Sequence, residues 1–115
     1  MSAPLVTDSP ASEIDIPLCS LSDIAVGLAR AFTVNSREIA VFRTREDQVF
    51  AIEGRCPHRG APLAEGMLAG ESVVCPFHGY RFELASGKCD QKSCQAVKTY
   101  PVRVDGEQIL LQVKA

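Results

Sequence analysis

The sequence contains no tryptophan and only two histidines, and it lacks the charge or apolar length that would direct it to a nucleic acid or a bilayer. Twelve Lys and Arg stand against fourteen Asp and Glu, a net charge of −2 with no basic cluster. Neither nucleic acid nor membrane is therefore an expected partner. No stretch approaches the roughly 18 apolar residues of a membrane span. Residues 1–10 show neither the basic start nor the apolar run of a secretory signal. The expected compartment is the cytoplasm, where disulfides are rare and cysteines more often bind metals or catalyse. No Gly-x-Gly-x-x-Gly fingerprint occurs, so no nicotinamide or flavin site of that type is expected.

What is present is an ordinary globular balance, 46% apolar and 23% charged over 115 residues, enough for one domain with a modest core. Residues 1–13 are polar and rich in Pro and Ser and read as a flexible tail, leaving 14–115 as the domain. Short β-type runs dominate it: residues 31–34 and 38–43 around a turn at 35–37, residues 48–53 after a polar break, and 99–104 and 108–113 around Asp105-Gly106. Asp-Gly between two such runs is a strong hairpin signal. In 48–53, Val49 and Ala51 would point one way and Phe50 and Ile52 the other, so both faces of that strand would be covered. Helical periodicity is confined to about one turn near Leu21–Ile24. The fold class is all-β.

The middle departs from this pattern. Five glycines and three prolines fall within residues 54–80, a composition that makes loops rather than ladders. Both histidines and two of the five cysteines lie there, as Cys56-x-His58 and, 16 residues further on, Cys75-x-x-His78. Each box offers one soft thiolate and one imidazole. Such a set suits a structural zinc ion or a two-iron cluster with both thiolates on one iron and both imidazoles on the other.

The boxes Cys56-Pro-His-Arg-Gly-Ala-Pro-Leu63 and Cys75-Pro-Phe-His-Gly-Tyr-Arg-Phe82 resemble those of the Rieske-type [2Fe–2S] ferredoxin family, and the likeness runs from Ile16 onward. The resemblance implies antiparallel β-sheets with an inserted cluster-binding subdomain, here about residues 54–82. It implies one [2Fe–2S] cluster with Cys56 and Cys75 on the inner iron and His58 and His78 on the outer. Two imidazoles in place of two thiolates make the oxidised site neutral, which raises its potential over that of a four-thiolate ferredoxin. In the Rieske proteins of cytochrome complexes a disulfide links the loops, and Ser and Tyr hydroxyls reach the cluster. Ala61 and Phe77 stand at the two disulfide positions here, and Tyr80 and Phe82 at the hydroxyl positions, as in a low-potential variant. Leu63 and Phe77 are candidates for apolar shielding. Cys19, Cys89 and Cys94 remain and read as plain packed or surface thiols, with a Cys89–Cys94 disulfide across a short loop as the alternative that geometry, not sequence, decides.

Both histidines are spent on the boxes, so no mononuclear iron site of two His and a carboxylate can be built beside them. The chain would carry no catalytic site and would pass single electrons between proteins. Two roles follow from the resemblance. Residues 38–44, 47–52 and 98–104, with Cys94, resemble the small subunit of assimilatory NAD(P)H nitrite reductase; Cys75–Phe82 resembles equally the ferredoxins of ring-hydroxylating dioxygenases. The implied donor is an NAD(P)H-dependent flavoprotein reductase or a large reductase subunit, and the acceptor a terminal reductase or oxygenase.

Overall fold

A computed structural model describes residues 13–57, 60–76, 79–90 and 95–114. Among the described residues, ten strands form three antiparallel sheets. The first has the order β1–β10–β9, from Glu13–Ser20, Gln108–Lys114 and Val102–Asp105. The second runs β2–β3–β4–β8, from Ala29–Val34, Arg37–Arg43, Val49–Glu53 and Thr99–Tyr100. The third, β5–β6–β7, is built from Met67–Ala69, Ser72–Val74 and Arg81–Glu83.

Alternation along β3 and β4 divides the core in two. Ile39, Val41 and Ala51 face the first sheet and pack with Ile24, Ile109 and Leu111. Ala40, Phe42 and Ile52 face the other way and pack with Leu63, Val73, Phe82, Leu84 and Val97. Val49 and Phe50 fall on the two sides predicted for them. The β3–β4 hairpin is thus a wall shared by two cores, which is why its strands read as nearly continuous apolar runs.

The turns follow backbone chemistry. Val34 pairs with Arg37, so β2 and β3 are joined by the two residues Asn35 and Ser36, at φ 51° and 66°. Two positive φ angles make this the hairpin turn whose twist suits the strands. Asp105 pairs with Gln108, so the last turn is Gly106-Glu107 with Gly106 at φ 63°, one residue later than Asp-Gly suggests. The helical turn near Leu21–Ile24 is a 3₁₀ turn, Leu21–Asp23. Arg43 secures it, donating through Nη1 to the carbonyls of Leu21 and Ile24 at 3.1 and 3.0 Å.

Two features go beyond the sequence pattern. Residues 13–20 form β1, which the sequence reading passed over; Pro17 interrupts the run, and an edge strand tolerates it because one side of its backbone faces no partner. Residues 54–80 are not loops alone, since β5 and β6 lie within them. Each has only three residues, too few to show a period. This lobe, with β7, leaves the second sheet after β4 and returns as β8. Its ends meet: Glu53 N donates to Lys98 O at 2.9 Å, and Lys98 N donates to Glu53 Oε1 at 2.7 Å.

Candidate metal centre

Two loops project from the lobe, and their described backbone is the same. Cys56 N donates to Ala61 O at 2.9 Å, and Gly60 N to Cys56 O at 2.8 Å. In the second loop Cys75 N donates to Tyr80 O at 2.7 Å, and Gly79 N to Cys75 O at 3.0 Å. Gly60 and Gly79 stand at φ 71° and 73°, where a Cβ would meet no atom of the described residues within 4 Å. Backbone conformation therefore demands glycine at these two positions, whatever lies beyond them.

Cys56 and Cys75 are both buried in the second core, and neither is in a disulfide. Each opens its loop at the same station of the same backbone frame. The histidines sit differently in the sequence of the frames, at the third position of the first and the fourth of the second. His58 and His78 lie outside the described residues, as do Arg59 and Phe77. Two buried thiols at the mouths of twin loops fit a thiolate-ligated metal group; a solvent-facing disulfide or an inert core would need no such pairing.

The surroundings are apolar. Ala61, at one disulfide position of the cytochrome-complex proteins, is fully buried. Leu63 and Phe82 are likewise buried in the core that holds both sulfurs. Tyr80 is half-buried against that core. Behind the second loop, Phe82 bridges to Cys89, and Asp90 clasps Arg81 by accepting from its N–H at 3.0 Å and donating to its carbonyl at 3.0 Å. Cys89 is disulfide-bonded, the alternative to the plain thiol that the sequence left to geometry. Cys94 lies outside the described residues. Cys19 is a thiol as expected, its pKa pushed up by burial and then by the Asp23 carboxylate.

The first loop has a support the sequence did not announce. Arg55, at the neck of the loop just after β4, donates to the Glu38 carboxylate on β3 and to the carbonyl of Gly60. The guanidinium holds the Glu38 carboxyl below the usual carboxylate range, chiefly through the hydrogen bond between them. Seventeen residues separate the partners, so no local signal reveals the pair.

Comparison with known proteins agrees with this geometry. The Rieske [2Fe-2S] domain family matches residues 15–101. The chain is 32% identical over 100 residues to the ferredoxin component of the naphthalene 1,2-dioxygenase system of Pseudomonas putida, covering 85% of this chain and 94% of that one. The structure of the E. coli protein NirD superposes with a TM-score of 0.81 at 28% identity, covering 90% of this chain and all of the other. A Mycobacterium tuberculosis protein described as an NADH-dependent nitrite reductase small subunit shares the fold, with a TM-score of 0.82 at 22% identity over 90% and 98% of the two chains.

Proposed function

This chain belongs to the Rieske [2Fe–2S] family, and from that premise we propose that Cys56 and Cys75 hold one iron of its cluster and His58 and His78 the other. The cofactor of the family is a [2Fe–2S] cluster, which takes up and returns one electron. The protein is accordingly an electron-transfer protein. The observation that carries the ligand assignment is the pair of buried cysteines opening two loops of identical hydrogen bonding. The chain's own residues supply rigidity and a dry base, with Leu63, Val73 and Phe82 buried in the same core as both cysteines.

Iron and acid-labile sulfide in equal amounts, about two of each per chain, are the expected content of the purified protein. Stoichiometric zinc in a colourless folded protein would overturn the assignment. His58→Ala and His78→Ala should each lose the cluster or alter its spectrum, because no third histidine exists to replace them.

We place the chain with the small subunits of NAD(P)H nitrite reductase, acting in the cytoplasm with a large reductase subunit. The NirD superposition, which takes in the whole of that chain, supports this. The 32% identity to a dioxygenase ferredoxin favours the second reading, a shuttle between a flavoprotein reductase and an oxygenase. Reconstitution separates them. Nitrite-dependent NAD(P)H oxidation that requires this chain supports the first; support of ring hydroxylation without effect on nitrite reduction rejects it. No helix among the described residues is long and apolar enough to cross a membrane. The bridge at Cys89 sits least easily with a reducing cytoplasm.

A further inference from the structure

Arg55 immediately precedes Cys56 and uses three of its N–H donors at once. Nε and Nη2 donate to Glu38 Oε1 and Oε2 at 2.6 and 3.2 Å, and Nη1 donates to the carbonyl of Gly60 at 2.9 Å. Gly60 is the residue whose N–H closes the loop onto Cys56. Both peptides flanking Gly60 are therefore tied, one to Cys56 and one to the guanidinium. Glu38 is fixed in turn by β3, and its own carbonyl accepts Gly54 N at 2.8 Å. A Cβ on Gly54 would lie 2.9 Å from the Glu38 carbonyl carbon, so the neck of the loop is pressed against that strand.

Among the described residues, the second loop shows no equivalent. Val74 precedes Cys75 and has nothing to donate from its side chain. Among the described residues, no side chain reaches the carbonyl of Gly79. The twin frames thus differ in one device, a charged strap on the first.

We propose that Arg55, held by Glu38, is a positioning residue for the first cluster loop, fixing the Gly60 carbonyl so that Cys56 and His58 are presented on a rigid frame. The inference rests on the ligand reading above. The pair is half exposed, and an ion pair so placed contributes little to global stability. Its effect belongs to the loop it touches. The fork matters as well as the charge, because two carboxylate oxygens and a carbonyl are engaged together and an ammonium cannot span them.

Arg103 and Asp15 provide the control. They form an ion pair of the same 2.6 Å length and similar exposure on the first sheet, with no hydrogen bond or ion pair to a described residue of either loop. The experiment uses the full cluster-loaded chain. It measures the rate of iron loss to excess chelator, the EPR g-values and line width of the reduced protein, and the melting temperature. Arg55→Gln should lose iron on the order of tenfold faster than wild type, the usual scale for removing an outer-shell partner of a metal ligand. It should also shift or broaden the EPR signal. Arg103→Gln should change neither. Unchanged iron loss and EPR signal in Arg55→Gln overturn the proposal, as does an equal change in Arg103→Gln. If Arg55→Gln fails to load, Arg55→Lys decides: wild-type release overturns the role, and faster release supports it. Zinc in place of iron and sulfide in the wild type overturns both the ligand reading and the strap. Iron and sulfide with an indifferent Arg55→Gln overturn the strap alone.

Discussion

Phe82 is a bare ring, wholly buried in the core that also holds Cys56 and Cys75, at a position where the cytochrome-complex proteins carry a tyrosine. Tyr80 offers its backbone carbonyl to Cys75 and lays its ring on the core, at a position where they carry a serine. Phe82 therefore offers no hydroxyl donor to favour the reduced, more negative state, and Tyr80 carries its hydroxyl at the end of a ring rather than on the short arm of a serine. We expect a midpoint potential near the low end of the Rieske range, on the order of −150 mV. Tyr80→Ser combined with Phe82→Tyr should raise it, and redox titration of wild type and variant checks both statements; a wild-type value well above zero contradicts them. At this scale much was legible. Cys56 and Cys75 could be chosen because both boxes have a specific spacing. Arg55 could not, because its worth depends on a carboxylate that only the fold brings near. Cys89 could not either, since pairing of cysteines is decided by geometry.

Strand registers and turns carry the next set of consequences. Asn35 suits the left-handed region, but Ser36 at φ 66° bears a cost that glycine would not. Ser36→Gly should stabilise the protein by about 1 kcal/mol, raising the melting temperature by roughly 4 °C. A calorimetric scan showing a lower melting temperature would mean that the serine hydroxyl makes a contact worth more than the backbone strain. The hairpin of β3 and β4 was readable because its residues alternate between two apolar environments over five to seven positions. β5, β6 and β7 were not, because a three-residue strand bordered by glycine and proline holds no period to count. β1 has alternation in Ile14, Ile16 and Leu18, yet Pro17 argues against a strand until its edge position is known.

Across the whole molecule, charge pairs stitch sheets at their exposed faces while the two cores do the burying. Asp15 on β1 accepts from Arg103 of β9 at 2.6 Å and from Gln112 of β10 at 3.3 Å, so one carboxylate spans the first sheet. These bonds, the one from Arg103 foremost, hold its pKa below the ordinary 3.8. A folded-state pKa below the unfolded one adds stability that is fully present above the unfolded value and lost as pH falls through the folded one. Wild type should therefore melt above Asp15→Asn at neutral pH, with the gap narrowing as pH falls below about 3.8. Parallel thermal melts across that range check it, and a gap that stays constant would assign the effect to packing. The general plan, an all-β body carrying a metal-bearing insertion, followed from residue pattern and resemblance together. That the insertion folds its own sheet and shares a wall with the body did not, since Phe42 and Ile52 meet Phe82 and Leu84 only through contacts distant in sequence.

The meeting of Glu53 and Lys98 has a consequence for descent. The chain leaves β4 and rejoins the same sheet at β8 with the two ends of its excursion hydrogen-bonded to each other. The body therefore sees the lobe as it would see a hairpin loop, and lengthening a loop costs only a slowly growing closure entropy. Such a cassette can be exchanged between relatives by recombination at two neighbouring points, provided the graft brings a counterpart of Leu63, Val73 and Phe82 to cover Phe42 and Ile52.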